Sequence, residues 1–155
     1  MKKELLRPVE RIYANNGQQA EYAVKVNRGV VGYADNRPYT LGGDVGDLQV
    51  KSFHATVCKG LDIRAHVASD KATSYGYVTK DLSTMYTMTP SEWIELCEAF
   101  TYADKDSSGE RKESGAKYCL SGARRGGAGG SNGGGVKLRL KRCEKEIVKW
   151  LEGRL

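Results

Sequence analysis

The sequence predicts an α/β (α+β) fold, with a mixed central sheet flanked by helices, as one domain over residues 1–155. Three observations predict it. Runs rich in Val, Thr, Tyr and Phe occupy the middle of the chain between Leu48 and Met88. The helix-start signal Thr89-Pro90-Ser91-Glu92 follows them directly. Helical spacing of apolar residues flanks these runs on both sides. At 155 residues, 39% apolar and 28% charged, the chain suits a single core.

In chain order, Lys2 to Ala14 is expected to be helical, with Leu5, Leu6, Val9 and Ile12 on one side and Pro8 as a kink or stop. Asn15-Asn16-Gly17 is a break, and Gln18 to Arg28 a second helix containing Glu21 and closed by Gly29. Val30 to Tyr39 reads as strand-like and Gly42-Gly43 as a tight bend. Leu48 to Cys58 reads as a strand whose period of two sets Gln49, Lys51 and Phe53 on one face and Val50, Ser52 and His54 on the other. Leu61 to Ala68 is a short helix, and Thr73 to Met88 a hairpin turning at Lys80-Asp81-Leu82-Ser83. The helix from Thr89 should bury Trp93, Leu96, Cys97 and Phe100. Residues 104–135 form a polar, glycine-rich segment expected to be flexible, and 136–155 a basic terminal helix, with Leu140, Cys143, Ile147 and Trp150 or Leu151 inward.

Charge narrows the function classes. Residues 1–110 hold 13 Lys+Arg against 15 Asp+Glu, and residues 111–155 hold 12 against 4, so the whole excess of +6 comes from the last third. A concentrated positive field of this kind favours a polyanion, usually nucleic acid. Arg124, Arg125, Lys137, Arg139, Lys141 and Arg142 are the expected phosphate contacts. No apolar run approaches a membrane span, and no secretory leader is recognisable at the start. Cys58, Cys97, Cys119 and Cys143 form no CxxC pair, so zinc-site spacing is absent and reduced thiols of a cytoplasmic protein are expected.

The stretch Gly43-Asp44-Val45-Gly46-Asp47-Leu48-Gln49-Val50-Lys51-Ser52 carries the chemistry. Phosphodiester hydrolysis needs an activated water and relief of negative charge, and a hard divalent cation on carboxylate and carbonyl oxygens supplies both. Strand alternation sets Gln49 and Lys51 side by side, and a turn carboxylate can reach the same point. Asp44 is preferred because flanking glycines let the backbone approach a ligand closely. Asp35 and Asp47 are the competing carboxylates. Lys51 can stabilise charge developing on the phosphate. His54 and His66 are expected to be structural, and Tyr75, Tyr77 and Tyr86 to be packing groups.

Asp44, Gln49, Lys51 and the helical Glu21 resemble the PD-(D/E)xK nuclease superfamily, in the variant that carries Gln for the last acid of the motif. The resemblance covers about residues 17–88. It implies a restriction-endonuclease-like core and hydrolysis of DNA phosphodiester bonds. It also implies Mg²⁺ or Mn²⁺ held by Asp44, Gln49 and Glu21, with double-stranded DNA as substrate. A homodimer, and biology of the restriction, homing, phage or mobile-element kind, would follow. Two other classes fit the same residues: a nucleic-acid-binding protein without catalysis, and a phage or mobile-element protein-interaction module.

Overall fold

Threonine, proline and glutamate at 89, 90 and 92 start a helix as their chemistry dictates. In the computed structural model Thr89 Oγ1 accepts from the Glu92 amide (3.2 Å) and Glu92 Oε1 accepts from the Thr89 amide (3.0 Å). Residues 1–12, 15–29, 45–52, 56–59, 63–103, 112–113, 137–140 and 143–155 are described below. In order they form β1 (Lys2–Leu5), α1 (Asn16–Asn27), β2 (Leu48–Ser52), β3 (Thr56–Lys59), α2 (Ile63–Ser69), β4 (Ser74–Val78), β5 (Thr84–Met88), α3 (Pro90–Phe100), β6 (Thr101–Ala103), β7 (Lys112–Glu113), β8 (Lys137–Leu140) and α4 (Glu144–Glu152). The fold is mixed α+β, as the sequence predicts.

The main sheet has the order β1-β5-β4-β2. The β4–β5 hairpin and the β1–β5 pair are antiparallel, and β2 runs parallel to β4 at the edge. The hairpin turns through Leu82 in the left-handed region at φ 62°, and Thr79 Oγ1 and the Ser83 hydroxyl both donate to Asp81 Oδ1 at 2.7 Å. A second sheet, β3-β8-β6-β7, is antiparallel throughout.

Alternation along the strands divides the core in two. Leu48, Val50, Val78 and Met85 face α1 and pack with Ala20, Val24 and Leu6. Tyr75, Tyr77, Tyr86 and Met88 face the other way and pack with Ile63 and Val67 of α2, Trp93, Leu96 and Cys97 of α3, and Ile147 and Leu151 of α4. The three tyrosines are buried, as expected of packing groups. Each hydroxyl donates to a carboxylate: Tyr75 to Asp70 (3.0 Å), Tyr77 to Glu144 (2.9 Å) and Tyr86 to Glu152 (2.6 Å). Burial, reinforced by Glu144, holds the Tyr77 hydroxyl in its protonated, donating form, and burial does the same for Tyr86.

Three local expectations are corrected. Lys2–Leu5 is a strand, because β5 offers a ladder partner; Leu5 is 75% exposed while Leu6 turns into the core. Asn15-Asn16-Gly17 does not break the chain but starts α1: Asn15 Oδ1 accepts from the Gln18 amide (2.8 Å) in a capping box. Gly29, at φ 62°, ends the helix as expected. The segment expected as one basic helix from Leu138 to Leu151 is instead strand β8 followed by α4. Leu138 and Leu140 alternate in a ladder with Thr101 and Ala103. The helix itself, EKEIVKWLE, carries three glutamates against two lysines and is not basic.

The caps make acid stability predictable. Its hydrogen bonds to Thr89 hold the Glu92 carboxyl below its ordinary 4.5, and those from Ser83 and Thr79 hold Asp81 below its ordinary 3.8. A carboxyl depressed by folding contributes fully above its unfolded value and loses that contribution as pH falls through the folded one. The contribution of these two carboxyls to the urea midpoint should therefore hold down to about pH 5 and fall below it. Thr89→Ala should cost about 1 kcal/mol at neutral pH and shrink the acid-dependent loss.

Candidate active site

The turn before β2 is short and doubly bonded. The Val45 amide donates to Leu48 O (2.9 Å) and the Leu48 amide to Val45 O (3.1 Å), with Gly46 left-handed at φ 63°. Asp47 O accepts from the amides of Thr73 (3.0 Å) and Ser74 (3.2 Å), which ties the turn to the start of β4. Asp47 is exposed at its tip. Asp44, one residue before this turn, lies outside the described residues, as does Asp35.

Beyond the turn the alternation is as expected over Leu48–Ser52, but the single strand expected to run to Cys58 is not formed: β2 ends at Ser52 and β3 pairs in the second sheet. Leu48, Val50 and Ser52 are buried under α1, and Gln49 and Lys51 are half-buried on the opposite face. Their parallel partners are Tyr75 and Tyr77. Glu21 belongs to α1, which covers the Leu48–Val50 face. Its helix thus packs on the face opposite Gln49 and Lys51.

His66 lies within electrostatic range of Lys51. Ile63 and Val67 of α2 are buried against the sheet, and His66, beside that face, is half-buried. Burial lowers its pKa, the Lys51 ammonium lowers it further, and Asp70 opposes both. His66 thus favours the neutral imidazole in the field of Lys51, where the sequence suggests only a structural histidine. The available signal was its place three residues after Ile63 on a helix facing the next strand. His54 lies outside the described residues. The coupling is testable: Lys51→Met should raise the His66 pKa, read from its ring proton shifts, because the repelling charge is gone. An unmoved titration would place the two groups apart.

No family model, curated protein or solved structure matches the chain.

The chain's own donors define what a divalent ion would find. Among the described residues, no group of three His, Cys, Asp or Glu side chains gathers as a metal site. Gln49 contributes a neutral amide oxygen, which is weak for a hard cation alone, so a carboxylate must come from elsewhere; Asp47, exposed in the turn, and Asp44, just before it, are the nearest in sequence. Of the expected phosphate contacts, Arg124, Arg125, Lys141 and Arg142 lie outside the described residues. Lys137 and Arg139 are alternate positions of β8, out of phase with buried Leu140. Their register partners include Lys59 and Tyr102. Among the described residues, no helix is long and apolar enough to cross a membrane. Cys97 and Cys143 are not joined in a disulfide.

Proposed function

We propose that the chain is a metal-dependent endonuclease acting on DNA phosphodiester bonds. The observation that supports this most is the pairing of Gln49 and Lys51 on one half-buried face of an edge strand, directly after a turn that begins next to Asp44. In this reading Asp44 and the Gln49 carbonyl oxygen hold the Mg²⁺ ion, which supplies charge relief and an activated water. Lys51 meets the negative charge that develops on the phosphate. His66, favouring the neutral form in the field of Lys51, can accept a proton. Glu21 is left out of the working set because its helix packs on the other face. The test is nicking of supercoiled plasmid in Mg²⁺ or Mn²⁺, its suppression by EDTA, and its loss in Asp44→Ala.

A second reading, nucleic-acid binding without cleavage, is favoured by the basic excess of residues 111–155 and by the alternate positions Lys137 and Arg139 on β8. It predicts binding that weakens steeply with salt and strand integrity that is indifferent to metal.

A further inference from the structure

On the α1 side of the main sheet, opposite Gln49 and Lys51, the end of β2 opens into a cleft of about 150 Å³. Arg11, Asn16, Ser52, Thr79 and Lys80 are among its lining residues. Ser52 is 5% exposed, and its Oγ is buried without a hydrogen-bond partner. A buried hydroxyl left so is unfavourable and marks a place where a polar group belongs. Water alone would satisfy a hydroxyl, but the surroundings select an anion. Asn16 is the first residue of the twelve-residue α1, so the positive end of that helix points into the cleft. The capping box engages the Gln18 amide, and the amides of Asn16 and Gly17 stand earlier in the same turn, where a helix offers no acceptor. Arg11 and Lys80 contribute two cationic side chains to the wall. Two carboxylates neighbour Lys80 in this wall: Asp81 is engaged within the hairpin turn by Thr79 and Ser83, and Glu144 accepts from the Lys80 amide (2.7 Å) and the Tyr77 hydroxyl (2.9 Å).

We propose that this cleft binds a phosphate group. The Ser52 hydroxyl and the first-turn amides of α1 would donate to its oxygens, and Arg11 and Lys80 would balance its charge. A free phosphate and a phosphate of a nucleic-acid strand share this chemistry. The proposal does not depend on cleavage at the opposite face.

The test uses the full chain and follows backbone amides by NMR during titration with inorganic phosphate and, separately, with a short single-stranded DNA. Sodium chloride at matched ionic strength is the control. Saturable shifts at Asn16, Gly17, Ser52 and Lys80 with either probe support the site, and the tighter probe names the source. Arg11→Gln, at an exposed position, should weaken binding about tenfold or more. Ser52→Ala should also weaken it and, without phosphate, should raise the melting temperature, because an unpartnered hydroxyl is removed. Equal shifts with chloride, or unchanged affinity in both variants, would overturn the proposal. A lower melting temperature of Ser52→Ala without phosphate would also overturn it, since it would make the hydroxyl a structural bond.

Discussion

Replacing Lys51 with alanine is expected to reduce DNA cleavage about 10²- to 10³-fold while the protein stays folded. The size follows from what the ammonium would do. Removing one preorganised donor from a developing oxyanion costs about 2.7–4 kcal/mol of transition-state stabilisation in other hydrolases. The fold should survive because Lys51 is half-buried and lies on the face opposite the Leu48–Val50 packing. Lys51→Arg keeps the charge but replaces a compact ammonium with a planar fork, so only part of the activity should return. Initial rates of plasmid nicking, with circular dichroism to confirm folding, decide the matter. Cleavage at the parent rate in Lys51→Ala would remove the residue from the chemistry and leave the binding reading in its place.

Trp93→Ala should cause the largest loss of stability, about 3–5 kcal/mol. The indole is 1% exposed and lies parallel on Tyr75, with ring centroids 5.3 Å apart and planes 3° from parallel. Its removal opens a cavity where α3 meets the sheet. It also strips a neighbour from Tyr75, whose hydroxyl anchors Asp70. A typical domain has about 5–15 kcal/mol in total, so the variant should unfold early in urea. Trp150 is the internal control. It meets Phe100 edge-on at 6.2 Å and carries the Arg154 guanidinium 3.7 Å from its ring centroid, and it is only partly buried. Trp150→Ala should lose less. Comparable urea midpoints for Trp93→Ala and the parent protein would mean that the larger core does not turn on this contact.

Much of the fold was legible where the signal is local. The Thr89–Glu92 cap, the β4–β5 hairpin and the alternation of β2 are set by neighbouring residues, and each stands where its residues indicate. Two of the failures share one cause. Leu5, Leu6, Val9 and Ile12 have helical spacing, but the partner that makes Lys2–Leu5 a strand is β5, some eighty residues away. Leu138 to Leu151 contains two periods at once: Leu138 and Leu140 alternate, whereas Cys143, Ile147 and Leu151 recur every four residues. A single helix absorbs both patterns on paper, and only the ladder with β6 separates them.

The site was legible to the same extent. Period two was enough to pair Gln49 with Lys51. It could not say which face α1 would cover, and that choice sets the helix bearing Glu21 opposite the pair and encloses Ser52 instead. His66 comes within the field of Lys51 through the packing of α2, which no spacing within β2 reveals.

The parallel pairing of β2 with β4 bears on the order in which the molecule assembles. The β4–β5 hairpin needs only a five-residue connection, whereas β2 reaches β4 through a crossover that contains β3 and α2. Closing the longer loop costs more entropy before any contact repays it. The hairpin should therefore belong to the folding nucleus, and the strand bearing Gln49 and Lys51 should dock late. Substitutions in β4 and β5 should slow refolding, while those in β2 should mainly hasten unfolding.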